Sequence, residues 1–343
     1  MSPAYIRFIQ DTVVDLVLDT WTRLRPVTMR AALVPIDDPQ SNERTLIADF
    51  REPRVTVPYL AAARFDADDG APVATLVNWH SHPEVMIEST LVSADFPRWV
   101  RERVEQTTGG RAVYLSGAVG GLSSPTGVAV PARGEDGEPV HDDNGNAVYL
   151  VDGTWDKTRS LGFVIADLAT NALDEALPID APSLFVHVEE LPLPVRNPLM
   201  KAAFAVGLIE YDLADRVRLP ECGWFGCLAE RLALVRVGPV EIVSSPGEIF
   251  PETMIGREAE TIDFGEGFGP FDFPAVAGYL EDSGAPVPMH MGLCGDEMGY
   301  LIPETDFHPR DHPDYYEEDL ILGTDTETLY RDAVVRVLTA QGG

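Results

Sequence analysis

A chain of 343 residues is long enough to bury one large core or two modest ones. Its 45% hydrophobic and 8% aromatic content describes an ordinary globular protein, and no apolar run approaches the ~18–20 residues that span a bilayer. The formal net charge is −31 and the only lysines are Lys157 and Lys201, a balance that repels phosphate backbones and anionic lipid and excludes nucleic acid as a main partner.

The opening residues carry Asp11 and Asp15 inside their apolar pattern and do not read as a signal peptide. Ile6, Ile9, Val13, Val14, Leu16 and Val17 recur at helical spacing, predicting an amphipathic helix over 3–24 that Pro26 ends. Strands are expected at Met29–Ile36, Val55–Ala61 and Val73–Trp79. A helix follows to about Gln106, with Ser93 or Asp95 as its cap and Pro97 in its first turn. Ala112–Leu115 reads as a strand that delivers the chain into a glycine-rich loop. Residues 126–154, rich in Gly, Asp and Asn, read as a long loop or hairpin insertion. Within it, Asp142-Asp143-Asn144-Gly145-Asn146 lacks the spacing and closing Glu of a calcium loop and reads as a solvated turn.

Downstream, helices are expected at 157–176, Pro198–Ile209, 274–282 and 326–339. Strands are expected at Ser183–Glu189, 231–237, 239–244 and 286–292. Helices and strands alternate without repeats or a Pro/Ser-rich linker. This predicts one α/β domain with a mixed β-sheet flanked by helices. Three cysteines make no disulfide framework. Cys222 and Cys227 flank a Gly-Trp-Phe-Gly turn and either pair with each other, as in an exported protein, or stay reduced in the core.

Four segments carry candidate chemistry. Asn78-Trp79-His80-Ser81-His82-Pro83 closes a strand, and strand alternation puts His80 and His82 on one face, where two imidazoles suit a borderline cation such as zinc. Ser116 to Pro125 follows a strand with small residues and the adjacent hydroxyls Ser123 and Ser124, suited to a nucleophile or an oxyanion donor. It is neither a nucleophile elbow nor a P-loop. Ser245-Pro246-Gly247-Glu248 puts a carboxylate at a strand end. Gly292 to Pro303 brings Tyr300, leading on to Tyr315-Tyr316-Glu317-Glu318. Each segment also has a plain structural reading as a turn, a solvated Glu or a packed Tyr. Of the other histidines, His141, His187, His308 and His312 lack partners at metal spacing and read as structural. His290 also reads as structural and, lying beside the 292–300 segment, is the first to check as an unexpected neighbour of the site.

Taken in order, Asn78…His82-Pro83, Ser93-Ala94-Asp95-Phe96-Pro97, Gly120-Gly121-Leu122-Ser123-Ser124-Pro125, Pro246-Gly247-Glu248, and Gly292-Leu293-Cys294-Gly295 through Tyr300 with Tyr316-Glu317 resemble the catalytic domain of the neutral/alkaline ceramidases. The resemblance spans essentially the whole chain. It implies hydrolysis of an N-acyl amide, such as a ceramide-like lipid, to a fatty acid and an amine, with Zn2+ as cofactor and a small lipid as partner. His82, Glu248 and Tyr300 would bind zinc and Ser123 or Ser124 would be catalytic. His80 would be a possible substitute ligand and Asp95 a hydrogen-bond partner behind the ligands. The family is exported, which is the location implied.

Three departures accompany the resemblance. The family's upstream His-Thr-His-Ser-Gly-Pro type motif has no match, so the chain is expected to be incomplete at its N-terminus or its metal site incomplete. The serine loop has an extra residue before Pro125, which leaves Ser123 and Ser124 both open. The family's C-terminal immunoglobulin-like domain is also absent. The alternatives are a non-catalytic relative and a zinc amidase for a substrate other than sphingolipid.

Overall fold

The computed structural model describes residues 3–38, 41–180, 182–209, 219–256, 271, 273–282 and 284–340. In chain order the main elements are α1 (Pro3–Trp21), β1 (Val27–Pro35), β2 (Tyr59–Ala67), β3 (Pro72–Trp79), α2 (Asp95–Thr108), β4 (Arg111–Ser116), α3 (Trp155–Glu175), β5 (Ile179–Asp180) and β6 (Leu184–Pro194). Then come α4 (Pro198–Ala205), β7 (Cys227–Val237), β8 (Val240–Ser244), α5 (Pro251–Ile255), α6 (Val276–Asp282), β9 (Val287–Met291) and α7 (Thr326–Ala340).

The α/β class is as expected, but the strands form two main mixed sheets rather than one. The first runs β5-β1-β2-β3-β4 and the second β6-β7-β8-β9. Each is antiparallel except for one parallel pair at its edge, β3 with β4 and β8 with β9. Alternation along β2 shows why a second sheet is needed. Leu60 and Ala62 face α2 and α3, where they meet Trp79, Phe96, Val100, Leu161 and Ile165. Ala61 and Ala63 face the other way, onto Val240, Val287 and Met289 of the second sheet. A strand apolar on both faces must be covered on both. The far face of the second sheet, with Leu191, Leu232 and Leu234, is covered by Val276 and Leu280 of α6 and by Tyr330 and Val334 of α7. The result is four layers, helix, sheet, sheet and helix. Each fully buried side chain of this kind contributes about 1.5–3 kcal/mol. At the α2–α3 crossing Gly162 admits close approach, since a Cβ there would lie 2.8 Å from the Phe96 carbonyl oxygen.

Two sequence expectations need correction. The strand predicted at Val55–Ala61 begins only at Tyr59 and continues to Ala67. Pro58 has no N–H for a ladder, and the alanines and Arg64 that follow gave a weak strand signal. Helix α1 ends at Trp21 rather than residue 24, and its apolar residues are exposed instead of buried, with Ile6 at 37% and Leu16 at 62%. No described helix is long and apolar enough to cross a membrane. Cys222 and Cys227 are joined as a disulfide.

Residues 126–154 fold as nested antiparallel pairs, Val130–Pro131 with Tyr149–Leu150, then single bridges Arg133 to Pro139 and His141 to Ala147. The Asp142 carboxylate accepts the N–H groups of Asn144 and Asn146 at 2.9 and 2.8 Å, so it closes a turn. The base of this excursion is tied by Lys157, whose buried Nζ donates to the carbonyls of Pro125 at 2.9 Å and Val151 at 2.8 Å, one on each side of the hairpin. Burial lowers the Lys157 pKa to about 8, against partial support from Asp152 and Asp95. Between pH 8 and the ordinary lysine value the unfolded chain holds a proton that the folded chain has released, so stability contributed here rises with pH across that window. Replacing Lys157 with Met is expected to lower stability by about 2–4 kcal/mol in urea unfolding, because two buried carbonyls lose their donors. It is also expected to remove the stability increment between pH 8 and 10. An unchanged pH profile in K157M would contradict this role.

Candidate functional site

The candidate residues gather where the loops after β3, β4, β8 and β9 meet. The amide of Asn78, at the carboxyl end of β3, sits on the seam between the sheets. Its Oδ1 accepts the His290 N–H at 3.0 Å, and its Nδ2 donates to the carbonyls of His290 at 2.8 Å and Leu115 at 2.9 Å. One buried side chain thereby fixes β3, β4 and β9 together. Past the strand ends the loops are stitched by backbone bonds. Gly117 N–H donates to Trp79 O and Gly292 N–H to Ser116 O, and His82 N–H meets Ser123 O at 2.8 Å. Glu248–Ile249 pairs in parallel with Tyr300–Leu301, Glu248 opposite Tyr300. Gly299, at φ 84°, lies so close to the Leu320 carbonyl oxygen that any Cβ would collide with it, so the tyrosine strand and the 317–320 turn meet through glycine alone.

His82 Nε2 lies 3.2 Å from Glu248 Oε2, yet both atoms are buried and neither makes a hydrogen bond of acceptable geometry. Burial presses the His82 pKa down, but Glu248 and then Glu84 more than offset it, leaving the pKa raised. The Tyr300 hydroxyl shares a short hydrogen bond with the Tyr316 hydroxyl. Burial, followed by the charge of Glu248, raises the Tyr300 pKa. His82, Glu248 and Tyr300, distant in sequence, therefore come together.

The two serines separate. Ser124 Oγ donates to Thr126 Oγ1 at 2.9 Å and accepts the Thr126 N–H at 3.1 Å, so it belongs to a turn. Ser123 Oγ is buried without a hydrogen-bond partner, next to the backbone that holds His82. A cavity of about 400 Å³ opens beside Glu248 and Tyr300, with Met200, Phe204, Met298 and Leu320 on its walls and Glu297 at its edge. Burial, then Glu248 and Asp296, raises Glu297 to about 7 against the opposing Gly299 N–H and His82.

His80 does not join His82. Strand β3 ends at Trp79, so the alternation that would put both on one face stops before either. His80 is fully buried, accepts the Ala118 N–H on Nδ1 at 2.9 Å and sits edge-on to Tyr59. Burial, then proximity to His290, lowers its pKa to about 3, so it is neutral. Asp95 is not the helix cap. Ala94 holds that position, while the Asp95 carboxylate accepts N–H groups from Val85, Met86 and Phe96. It thus pins the loop that follows His82-Pro83.

Sequence reading missed Arg51. In Phe50-Arg51-Glu52-Pro53-Arg54 it looks like a solvated loop charge, but it is 1% exposed. Its Nε lies 3.0 Å from Glu317 Oε2 and its Nη2 2.7 Å from Glu318 Oε1. Nη2 and Nη1 also donate to the carbonyls of Asp306 and Asp314. Only partners up to 267 residues downstream give it a role, and no local pattern signals them. Burial raises Glu317 to about 7 despite Arg51, with Glu248 and Glu318 adding to the rise.

No protein-family model and no curated protein matches the sequence. Solved structures do match. A crystal structure of neutral ceramidase from Pseudomonas aeruginosa superposes with TM-score 0.62 at 14% identity, over 96% of this chain and 54% of that one. A ceramidase complexed with C2 superposes with TM-score 0.59 at 14% identity, over 92% and 54%. The fold is neutral-ceramidase-like, and the chain spans about half the length of the solved chains it matches.

Replacing Arg51 with Met leaves Glu317 and Glu318 buried without their counter-charge. It is expected to cost about 3–5 kcal/mol, read as an earlier chemical-unfolding midpoint. A loss below about 1 kcal/mol would show that these carboxylates find another partner.

Proposed function

We propose that the chain is a metal-dependent hydrolase of N-acyl amides, with His82, Glu248 and Tyr300 holding a zinc ion. The observation that carries this reading is the pair of buried, hydrogen-bond-free atoms His82 Nε2 and Glu248 Oε2 aimed at each other beside a phenol. An imidazole, a carboxylate and a phenol fit a borderline cation, and a cation would bind both atoms, which now meet at 3.2 Å without a well-formed hydrogen bond. Bound there, zinc supplies Lewis acidity towards a carbonyl and a lowered pKa for bound water.

The chain's own residues provide the rest. Ser123 presents its hydroxyl, while Ser124 is committed to the turn that supports it. Tyr316 orients the Tyr300 phenol through their shared hydrogen bond. Asp95 holds the backbone of the His82-Pro83 loop in place, acting through position rather than contact with substrate. The cavity lined by Met200, Phe204, Met298 and Leu320 favours an apolar acyl group next to Glu248, and a ceramide-like lipid fits this description.

Metal analysis and hydrolysis of fluorogenic N-acyl amides of graded chain length test the reading. H82A and E248A are expected to lose zinc from the centre and to lose hydrolysis together. S123A is expected to retain the metal and lose about 10²–10³-fold in kcat, while S124A stays within a few-fold of wild type. Phenanthroline should abolish hydrolysis, and added zinc should restore it. Wild-type zinc content and turnover in H82A and E248A would refute the assignment.

A further inference from the structure

The segment His308-Pro309-Arg310-Asp311-His312-Pro313-Asp314 has no part in the centre above, and its histidines read from sequence as structural. Folding brings them together. His312 N–H donates to Pro309 O and Tyr315 N–H to His312 O, at 2.9 and 3.1 Å, and these two turns coil the segment on itself. The rings of His308 and His312 stack with centroids 4.0 Å apart. One donor atom from each of His308, His312 and Asp314 lies within 4.8 Å of the others, and His312 Nδ1 is 3.9 Å from Asp314 Oδ2.

We propose that His308, His312 and Asp314 form a second metal site, separate from the His82–Glu248–Tyr300 centre, for a borderline divalent cation of the zinc and cobalt class. Two imidazoles with one carboxylate is a donor set that such ions prefer over magnesium or calcium. His308 is oriented for ligation. Its Nε2 lies 2.6 Å from the Glu52 carbonyl oxygen, which can only accept, so Nε2 carries the proton and the ring's lone pair is on Nδ1. A backbone carbonyl that fixes the tautomer of a histidine is the usual support behind a metal ligand. Burial, then Arg51 and His312, lowers the His308 pKa.

The surroundings tolerate a cation. Arg51 is balanced by Glu317 and Glu318, and Glu318 Oε1 lies 3.9 Å from His308 Nδ1. Tetrahedral ligands at ~2.0–2.2 Å from one ion sit about 3.3–3.6 Å apart, so the widest pair, within 4.8 Å here, must close by at most about 1.5 Å. His312 and Asp314 are half-buried, which leaves the ion a way in. A contact given up is the 3.2 Å approach of the Asp314 N–H to His312 Nδ1. Arg51 already bonds the Asp314 carbonyl. An ion here would therefore brace the same segment that carries Tyr316 and Glu317 to the first centre.

The test is cobalt(II) titration of metal-stripped full chain, followed by visible absorption and by metal-to-protein ratio after desalting. Wild type is expected to retain two equivalents, the H82A/E248A double variant one, and that variant carrying H312A or D314N none. D314N alters a single side-chain group with little change in shape. It guards against misfolding in H312A, and thermal melts of both establish that they fold. If the H82A/E248A protein keeps its equivalent after H312A and D314N, or never binds one, this proposal is overturned. If wild type binds a single equivalent that H312A and D314N remove but H82A/E248A leaves, this proposal stands and the first centre is refuted.

Discussion

Negative charge held out of water is the constraint around which the molecule is organised. The chain is acidic throughout, and at the junction of the strand-end loops it buries Glu248, Glu317 and Glu318 within reach of one another, with Glu297 close by. Carboxylates brought together in a low dielectric repel, and each pays to leave water. One guanidinium, Arg51, answers Glu317 and Glu318. Glu248 is left facing an imidazole and a phenol, neither of which carries a fixed positive charge. The cation proposed above would offset that arrangement, and the raised pKa values of His82, Glu297 and Glu317 express the same imbalance in the language of protons.

The two-sheet architecture makes this concentration possible. Each sheet has one parallel pair at its edge, β3 with β4 and β8 with β9, and these edges lie against each other along the seam that Asn78 crosses. Parallel neighbours deliver their loops to the same end. Four loops with unrelated sequences therefore converge, and the open end of an α/β sheet, where ligands usually bind, is doubled.

Much of this was legible in the residues. The order of His82, Ser123, Glu248 and Tyr300 was readable because each lies in the loop that follows a strand and carries its own glycine or proline punctuation. Most element boundaries after residue 70 fell within two positions, since periodicity there is strong, but β6 runs on to Pro194 rather than Glu189, α4 stops at Ala205 rather than Ile209 and β7 begins at Cys227 rather than 231. The second sheet was hidden because a strand buried on both faces has no alternation to read, and β2 hides further behind its alanines. Arg51 was unreadable because its meaning lies in partners on the opposite end of the chain. His80 was misjudged for a local reason. Alternation is a property of paired backbone, and the pairing stops one residue too early. His308 and His312 were dismissed on linear spacing, which cannot see a turn that stacks two rings.

The clasp made by Asn78 has a bearing on how the loops come to order. Two of its three hydrogen bonds cross to His290 on β9 and the third reaches Leu115 on β4 within its own sheet, so the first two share one alignment of β3 against β9. A slip of one residue, ~3.3 Å along a strand, breaks both of these together and carries the histidine loop away from the glutamate and tyrosine loops. Intermediate alignments have nothing to hold them. The junction is thus digital rather than graded: correct registry supplies every loop at once, and any other supplies none.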